Sequence, residues 1–209
     1  MEPTSSVSEH EGKDSGSASA SSAYTPQELI PVVGEEVNAE EGMDVAMKLA
    51  RQALAVGEVP VGCVFVYQSK IIAIGRNTVN ETRNATRHAE INCIDDVLKW
   101  CKENNMESSS VFGATEVFVT VEPCIMCAGA LHKLHLKQIT YGCHNDRFGG
   151  CGTVLDTGLL ADDPCKIVRG VRAEEAMQLL KDFYKGTNPN APVPNVKKKT
   201  GRKTENESD

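Results

Sequence analysis

The 209 residues carry 22 basic and 29 acidic side chains, a formal net charge of −7, and eight cysteines. That length suits one cored domain with tails; the apolar runs are too short to span a bilayer, and the N-terminal stretch lacks the apolar segment of a secretory signal. A nuclear or cytoplasmic protein that is not secreted and has no membrane partner is therefore expected, with cysteines serving metal binding, catalysis or burial rather than disulfides.

Residues 1–40 are rich in serine and acidic groups and poor in large apolar side chains. Such a segment buries too little surface to offset its ordering entropy and is expected to be disordered. Residues 1–41 hold nine acidic groups and one lysine, while the rest of the chain carries 21 basic and 20 acidic groups. The acidity belongs to one end and says little about what the body binds.

A folded domain is expected over 41–186. Met43, Met47, Leu49, Ala50, Ala53 and Leu54 recur at roughly helical spacing and stop near Gly57. "VGCVFVY" and "IIAIG", separated by "QSK", read as a β-hairpin. Ile91, Ile94, Val97, Leu98 and Cys101 mark a second helix that starts at Ala89. "EVFVTV" is a strand, Cys124 to about Leu134 a helix, "QITYG" a strand and "KIVRGV" a fifth strand. "AEEAMQLLKDFY" closes as a helix with Ala176, Leu179, Leu180 and Phe183 on one face. This order predicts an α/β fold, a three-layer α/β/α sandwich around a central mixed five-stranded sheet. Residues 187–209 are proline-rich and then basic, with Lys197, Lys198, Lys199, Arg202 and Lys203 on an extended tail.

Cys124 and Cys127 stand at the start of the third helix, after Pro123. At positions i and i+3 both sulfurs point the same way, and exposed helix N–H groups favour thiolates. Alone, the pair fits a redox dithiol, half of a structural zinc site, two ligands of a catalytic metal, or core packing. His88 and Glu90 open the second helix. If the strands before these two helices are neighbours, both helix starts meet at one sheet edge. His88 then completes a His-Cys-Cys set with an open fourth position, the mark of a catalytic rather than a structural zinc. Glu90 is then placed to move a proton between water and a leaving amine. Cys93, the nearest candidate for a fourth ligand, falls in the apolar period with Ile91, Ile94 and Val97 and reads as core. His132 and His135 have the spacing of a metal pair, but "HKLHLK" reads as the basic end of a helix.

"HAE" followed by a strand and "PCIMC" matches H-x-E…P-C-x-x-C, the signature of zinc-dependent nucleobase deaminases. From about Gly42 to Pro192, "EVPVGCVFV", "GRNTVN", "ATRHAEI", "VTVEPCIMCAGAL" and "YGCHNDRFGGCG" resemble the tRNA adenosine deaminase family. "NDRFGGCG" and the basic tail resemble the catalytic subunit of its eukaryotic heterodimeric members more than the bacterial ones.

The resemblance implies a cytidine deaminase-like fold and one catalytic Zn²⁺ on His88, Cys124 and Cys127, with Glu90 as proton shuttle. It also implies conversion of adenosine to inosine at the first anticodon position of tRNA, and a paralogous, catalytically degenerate deaminase subunit as partner. Asn77 matches the position that hydrogen-bonds the target base, although a turn residue after a strand reads equally well. Main-chain groups of Ala89 and Glu122 are further candidates nearby. In the loop 144–153, Asn145, Arg147 and Phe148 are candidate substrate contacts, with Asn145 standing where bacterial members commonly carry aspartate. Gly149, Gly150 and Gly152 allow close approach of RNA there, and an ordinary flexible loop is the alternative. The tail lysines and arginine read as tRNA phosphate contacts or as a nuclear-targeting run. Two other functions remain open: deamination of a free cytosine or guanine nucleoside or nucleotide, and a non-enzymatic, zinc-stabilised tRNA-binding subunit.

Overall fold

A computed structural model describes residues 33–185. Helix α1 (Ala39–Ala55) begins at Asn38, whose side chain accepts from the N–H groups of Glu40 and Glu41, while the Glu41 carboxylate caps the Asn38 N–H in return. That reciprocal cap fixes where the helix starts. Ordered pairing begins earlier, ahead of the boundary expected at residue 41. Gly34 N–H donates to Ile71 O at 2.7 Å and Val37 N–H to Ser69 O at 2.8 Å, so this stretch covers part of a sheet edge.

The hairpin forms as expected from strands β1 (Gly62–Tyr67) and β2 (Lys70–Arg76). Gln68 and Ser69 both have positive φ, +49° and +62°, the left-handed pair that matches strand twist in a two-residue turn. Next come the short helix α2 (Val79–Thr82), α3 (Ala89–Glu103) and α4 (Ser108–Gly113). Strand β3 (Thr115–Val121), helix α5 (Ile125–Lys133) and strand β4 (Gln138–Cys143) follow. A 3₁₀ turn (Thr157–Leu160), strand β5 (Lys166–Val168) and helix α6 (Ala173–Lys185) complete the described chain. The sequence patterning had not singled out α2, α4 or the 3₁₀ turn. Each is too short to show a helical period.

The five strands lie in the order β2-β1-β3-β4-β5, with β1 antiparallel to β2 and β3, and β3, β4 and β5 mutually parallel. Alternation along the strands divides the core in two. Val64, Val66 and Phe118 face α1 and α6, with Met43, Met47 and Ala176. Cys63, Phe65, Val117 and Val119 face α3, α4 and α5, with Cys93, Val97, Phe112 and Leu131. The result is the three-layer mixed-sheet sandwich that the element order predicts. A register shift opposite Phe65/Val66 places both Ile72 and Ala73 in the second cluster, as a β-bulge does.

Two helices depart from the predicted periodicity. Leu98 is 44% exposed, because the stripe of α3 that meets the sheet is Ala89, Cys93, Val97 and Cys101. Of the apolar face of α6 only Ala176 is buried, while Leu179, Leu180 and Phe183 are half-buried. Ion pairs of Arg172 with Asp44 and of Arg51 with Glu175 bind α6 to α1 beside this incomplete seam. No helix among the described residues is long and apolar enough to cross a membrane.

Gly62 sets how closely α1 lies on the sheet. A Cβ there would sit 2.0 Å from Ala46 O and 2.7 Å from Ala50 N, both helix backbone atoms that have no rotamer to yield. Gly62→Ala is expected to cost about 3 kcal/mol of stability, read as a lower urea midpoint at unchanged slope. An unmoved midpoint would show that α1 can lift from the sheet without loss.

Candidate active site

The site lies at one edge of the sheet because of strand direction. β2 and β3 both pair antiparallel with β1, so they run the same way and end at the same edge. The helices that follow them, α3 and α5, both start there. The two strands are not neighbours, as the sequence reading had required; β1 lies between them, separating their axes by roughly 10 Å. The convergence survives because shared direction, not adjacency, aims both chain exits at one place.

Helix N-caps are usually Ser, Thr, Asp or Asn, whose side chains satisfy the first N–H groups. Here the caps are His88 for α3 and Cys124 for α5, and neither side chain makes a capping bond. They turn instead toward each other. His88 Nδ1 lies 3.5 Å from Cys124 Sγ and 3.5 Å from Cys127 Sγ, and the three potential ligand atoms all fall within 4.8 Å. Among the described residues no other group of three or more His, Cys, Asp and Glu side chains converges in this way.

The donor set fits zinc. With metal–sulfur bonds of about 2.3 Å and metal–nitrogen bonds of about 2.0–2.1 Å at tetrahedral angles, sulfur and nitrogen stand about 3.6 Å apart. The observed separations of 3.5 Å match donors gathered round a single ion. The electrostatics point the same way. A hydrogen bond from Cys127 holds Cys124 as a thiolate, at about 4, against burial and with help from His88. The same bond, together with burial, pushes Cys127 far up. The bond to Cys124 lifts His88 above the ordinary imidazole range although burial opposes it. A divalent ion bound by the triad would displace the protons on these groups.

Glu90 is 3% exposed, in the first turn of α3. Burial pushes its carboxyl up to about 7; its backbone hydrogen bond pulls it down, the Cys124 charge raises it and His88 lowers it. A carboxyl poised there can both take and give a proton near neutral pH. Asn77 is buried just past the end of β2, and its Oδ1 accepts from Ala89 N–H at 2.9 Å. It is therefore held against the start of α3 rather than free in a turn.

These groups line a cavity of about 580 Å³ whose walls include His88, Glu90, Asn77 and Cys124. Asn145, Arg147 and Phe148 also line it, from the loop after β4. Phe148 is 53% exposed, with the Arg147 guanidinium 5.1 Å from its ring centre. Asn145 spends its side chain on the loop itself: Oδ1 accepts from Phe148 N–H at 3.0 Å, and Nδ2 donates to Glu122 O at 3.4 Å. Lys197, Lys198, Lys199, Arg202 and Lys203 lie outside the described residues.

Other features went unread in the sequence. Met177, Leu180, Lys181 and Tyr184 of α6 close one side of the cavity. Nothing local to "AMQLLKDFY" says where that helix docks. The Glu122 side chain is buried beneath the loop; a charged residue at the end of an apolar strand was the available signal. His132 lies in the basic last turn of α5, as expected, but is buried there with Nδ1 3.4 Å from Cys165 Sγ, and His135 lies beyond the helix at φ +52°. Cys93 is core, its thiol donating to Cys63 O at 3.5 Å.

Residues 36–143 match the family model of the cytidine and deoxycytidylate deaminase zinc-binding region. The chain is 52% identical over 165 residues to tRNA-specific adenosine deaminase 2 of Xenopus tropicalis, covering 75% of this chain and 95% of that one. It is 42% identical over 168 residues to the tRNA-specific adenosine deaminase subunit tad2 of Schizosaccharomyces pombe, covering 79% of this chain and 42% of that one. A solved structure from studies of A-to-I editing by tRNA:A34 deaminases at the wobble position superposes with a TM-score of 0.57 at 26% identity, over 67% of this chain and 99% of that one.

Proposed function

The chain belongs to the tRNA-specific adenosine deaminases, within the cytidine and deoxycytidylate deaminase zinc-binding family, and we propose that it converts adenosine to inosine at the first anticodon position of tRNA as the catalytic subunit of a heterodimer. One observation carries the reading: a His-Cys-Cys donor set, a buried carboxyl near neutrality and a held asparagine share one cavity. His88, Cys124 and Cys127 would hold the zinc, which as a Lewis acid would make water a nucleophile near neutral pH.

The protein's own groups do the rest. Glu90 takes the proton of the attacking water and delivers it to the C6 amine, which leaves as ammonia while the ring keeps the oxygen as inosine. Asn77, its Oδ1 engaged by Ala89 N–H, has its Nδ2 to donate to the base. A base reaches this depth only when flipped out of its stack. Phe148 and Tyr184, both exposed and on different walls of the cavity, supply faces on which the flipped base and its neighbours stack.

Support for a subunit role comes from exposed apolar residues beside the site. Leu159 and Leu160, 83% and 76% exposed, lie on the 3₁₀ turn that packs against α5, where Ile125 and Met126 are also exposed. Such a surface suits a paralogous deaminase subunit as partner. The direct test incubates the protein, alone and with that subunit, with tRNA bearing adenosine at the first anticodon position and measures inosine. Absence of inosine in both arms overturns the reading.

The basic tail supplies grip in this reading. Removal of Val196–Asp209 takes away five cationic side chains. It is expected to weaken tRNA binding, flatten its dependence on salt and leave zinc content intact. Unchanged affinity at physiological salt would remove the tail from the substrate interface.

A further inference from the structure

We propose that Glu122 is a positioning residue whose buried carboxylate fastens the substrate loop to the metal-ligand turn, and so sets how tightly RNA is held. This rests on the tRNA reading given above. Glu122 directly follows the apolar strand β3 and is 1% exposed, and among the described residues its partners include no lysine or arginine. Its partners are backbone N–H groups of one loop, with the Thr153 side chain beside them. Oε1 accepts from Cys151 at 3.0 Å and from Thr153 at 3.2 Å, while Oε2 accepts from Asn145 at 3.1 Å. His144, at 3.6 Å from Oε2, stands over the same carboxylate.

Only a group that accepts at both oxygens satisfies three donors placed this way. The loop in turn clasps the residues around Cys124. Ile125 N–H donates to Phe148 O at 2.8 Å, and Gly150 N–H donates to Pro123 O at 2.9 Å. Two glycines make the approach possible. A Cβ on Gly149 would lie 2.6 Å from Glu122 Oε2, and one on Gly150 would lie 2.7 Å from Ala128 Cβ. Asn145, Arg147 and Phe148 ride on this clasp, so their placement over the cavity is inherited from a side chain shut off from solvent. The carboxylate is not a member of the donor set, which is His88, Cys124 and Cys127.

The decisive variant is Glu122→Gln, which keeps size and shape but turns one acceptor into a donor facing the Asn145 N–H or the Cys151 and Thr153 N–H pair. Steady-state editing of an anticodon stem-loop by the full chain with its partner subunit is compared with wild type. Zinc stoichiometry is measured alongside, and binding of the stem-loop is measured in a Glu90→Ala background. The expected result is a KM and a dissociation constant raised on the order of tenfold, with kcat changed much less and zinc retained. Gly149→Ala, which disturbs the clasp from the loop side, should shift KM the same way. The two changes together should fall short of the product of their separate effects.

A purely structural role predicts something else: fewer active molecules, hence lower kcat, at wild-type KM. That result, or fully independent effects of the two substitutions, would overturn the inference while leaving the function intact. No inosine from the wild-type protein overturns both.

Discussion

Glu90→Ala is expected to lower inosine formation by about 10³-fold, with zinc content and tRNA affinity close to wild type. The size follows from what the carboxyl does rather than from where it binds. Glu90 lies two residues beyond His88 on the first turn of α3, in the same cavity as the ligand set but outside it. Burial at 3% exposure is what lifts it to about 7, so at neutral pH both protonation states are populated and one group can serve both halves of the proton transfer. Glu90→Gln separates this role from packing. The amide fills the same space and cannot exchange the proton, so its activity should fall as far as that of the alanine variant. Either variant keeping more than about a tenth of wild-type activity would end the assignment of Glu90 as the shuttle.

Removing a ligand should cost at least as much, and in a different observable. Cys124→Ser is expected to abolish activity together with bound zinc, because a serine hydroxyl does not ionise where a thiol held at about 4 already has. The linked stability change distinguishes metal loss from misfolding. An ion that binds only the folded chain stabilises it by mass action. A chelator should therefore lower the Tm of the wild-type protein and leave that of Cys124→Ser unmoved. A full complement of zinc in Cys124→Ser, or a chelator-insensitive wild-type Tm, would show that the three side chains converge for another reason. Glu90→Ala should behave as wild type in this second assay, so the two substitutions together divide binding of the ion from movement of the proton.

The elements that carry the site were legible because each has a local signature. The β-rich run "VGCVFVY", buried on both faces of the sheet, and the helical spacing after Ala89 are such signatures. Leu98 misled because the width of a buried stripe depends on what packs against it, and the sheet reaches Val97 and Cys101 but not Leu98. His132 stands in the basic last turn of α5 as expected, and only the fold shows that the 3₁₀ turn comes back over it, with Gly158 close to its ring.

The pairing of His88 and Glu90 with Cys124 and Cys127 was determined by the sequence itself, since residue type, spacing and a strand between two helix starts narrow the chemistry to very few options. The route by which they meet was decided by tertiary structure. β1 intervenes between β2 and β3, and only the shared direction of those strands brings both helix starts to one edge. Tertiary structure alone also seated α6 along the cavity and wrapped the loop 145–153 around Glu122. The physical reason lies in the partners involved. Dihedral preference and amphipathic period are properties of neighbouring residues, whereas the Glu122 carboxylate is held largely by backbone N–H groups that nearly every residue carries. A carboxylate gripped mainly in that way leaves little complementary signal elsewhere in the chain.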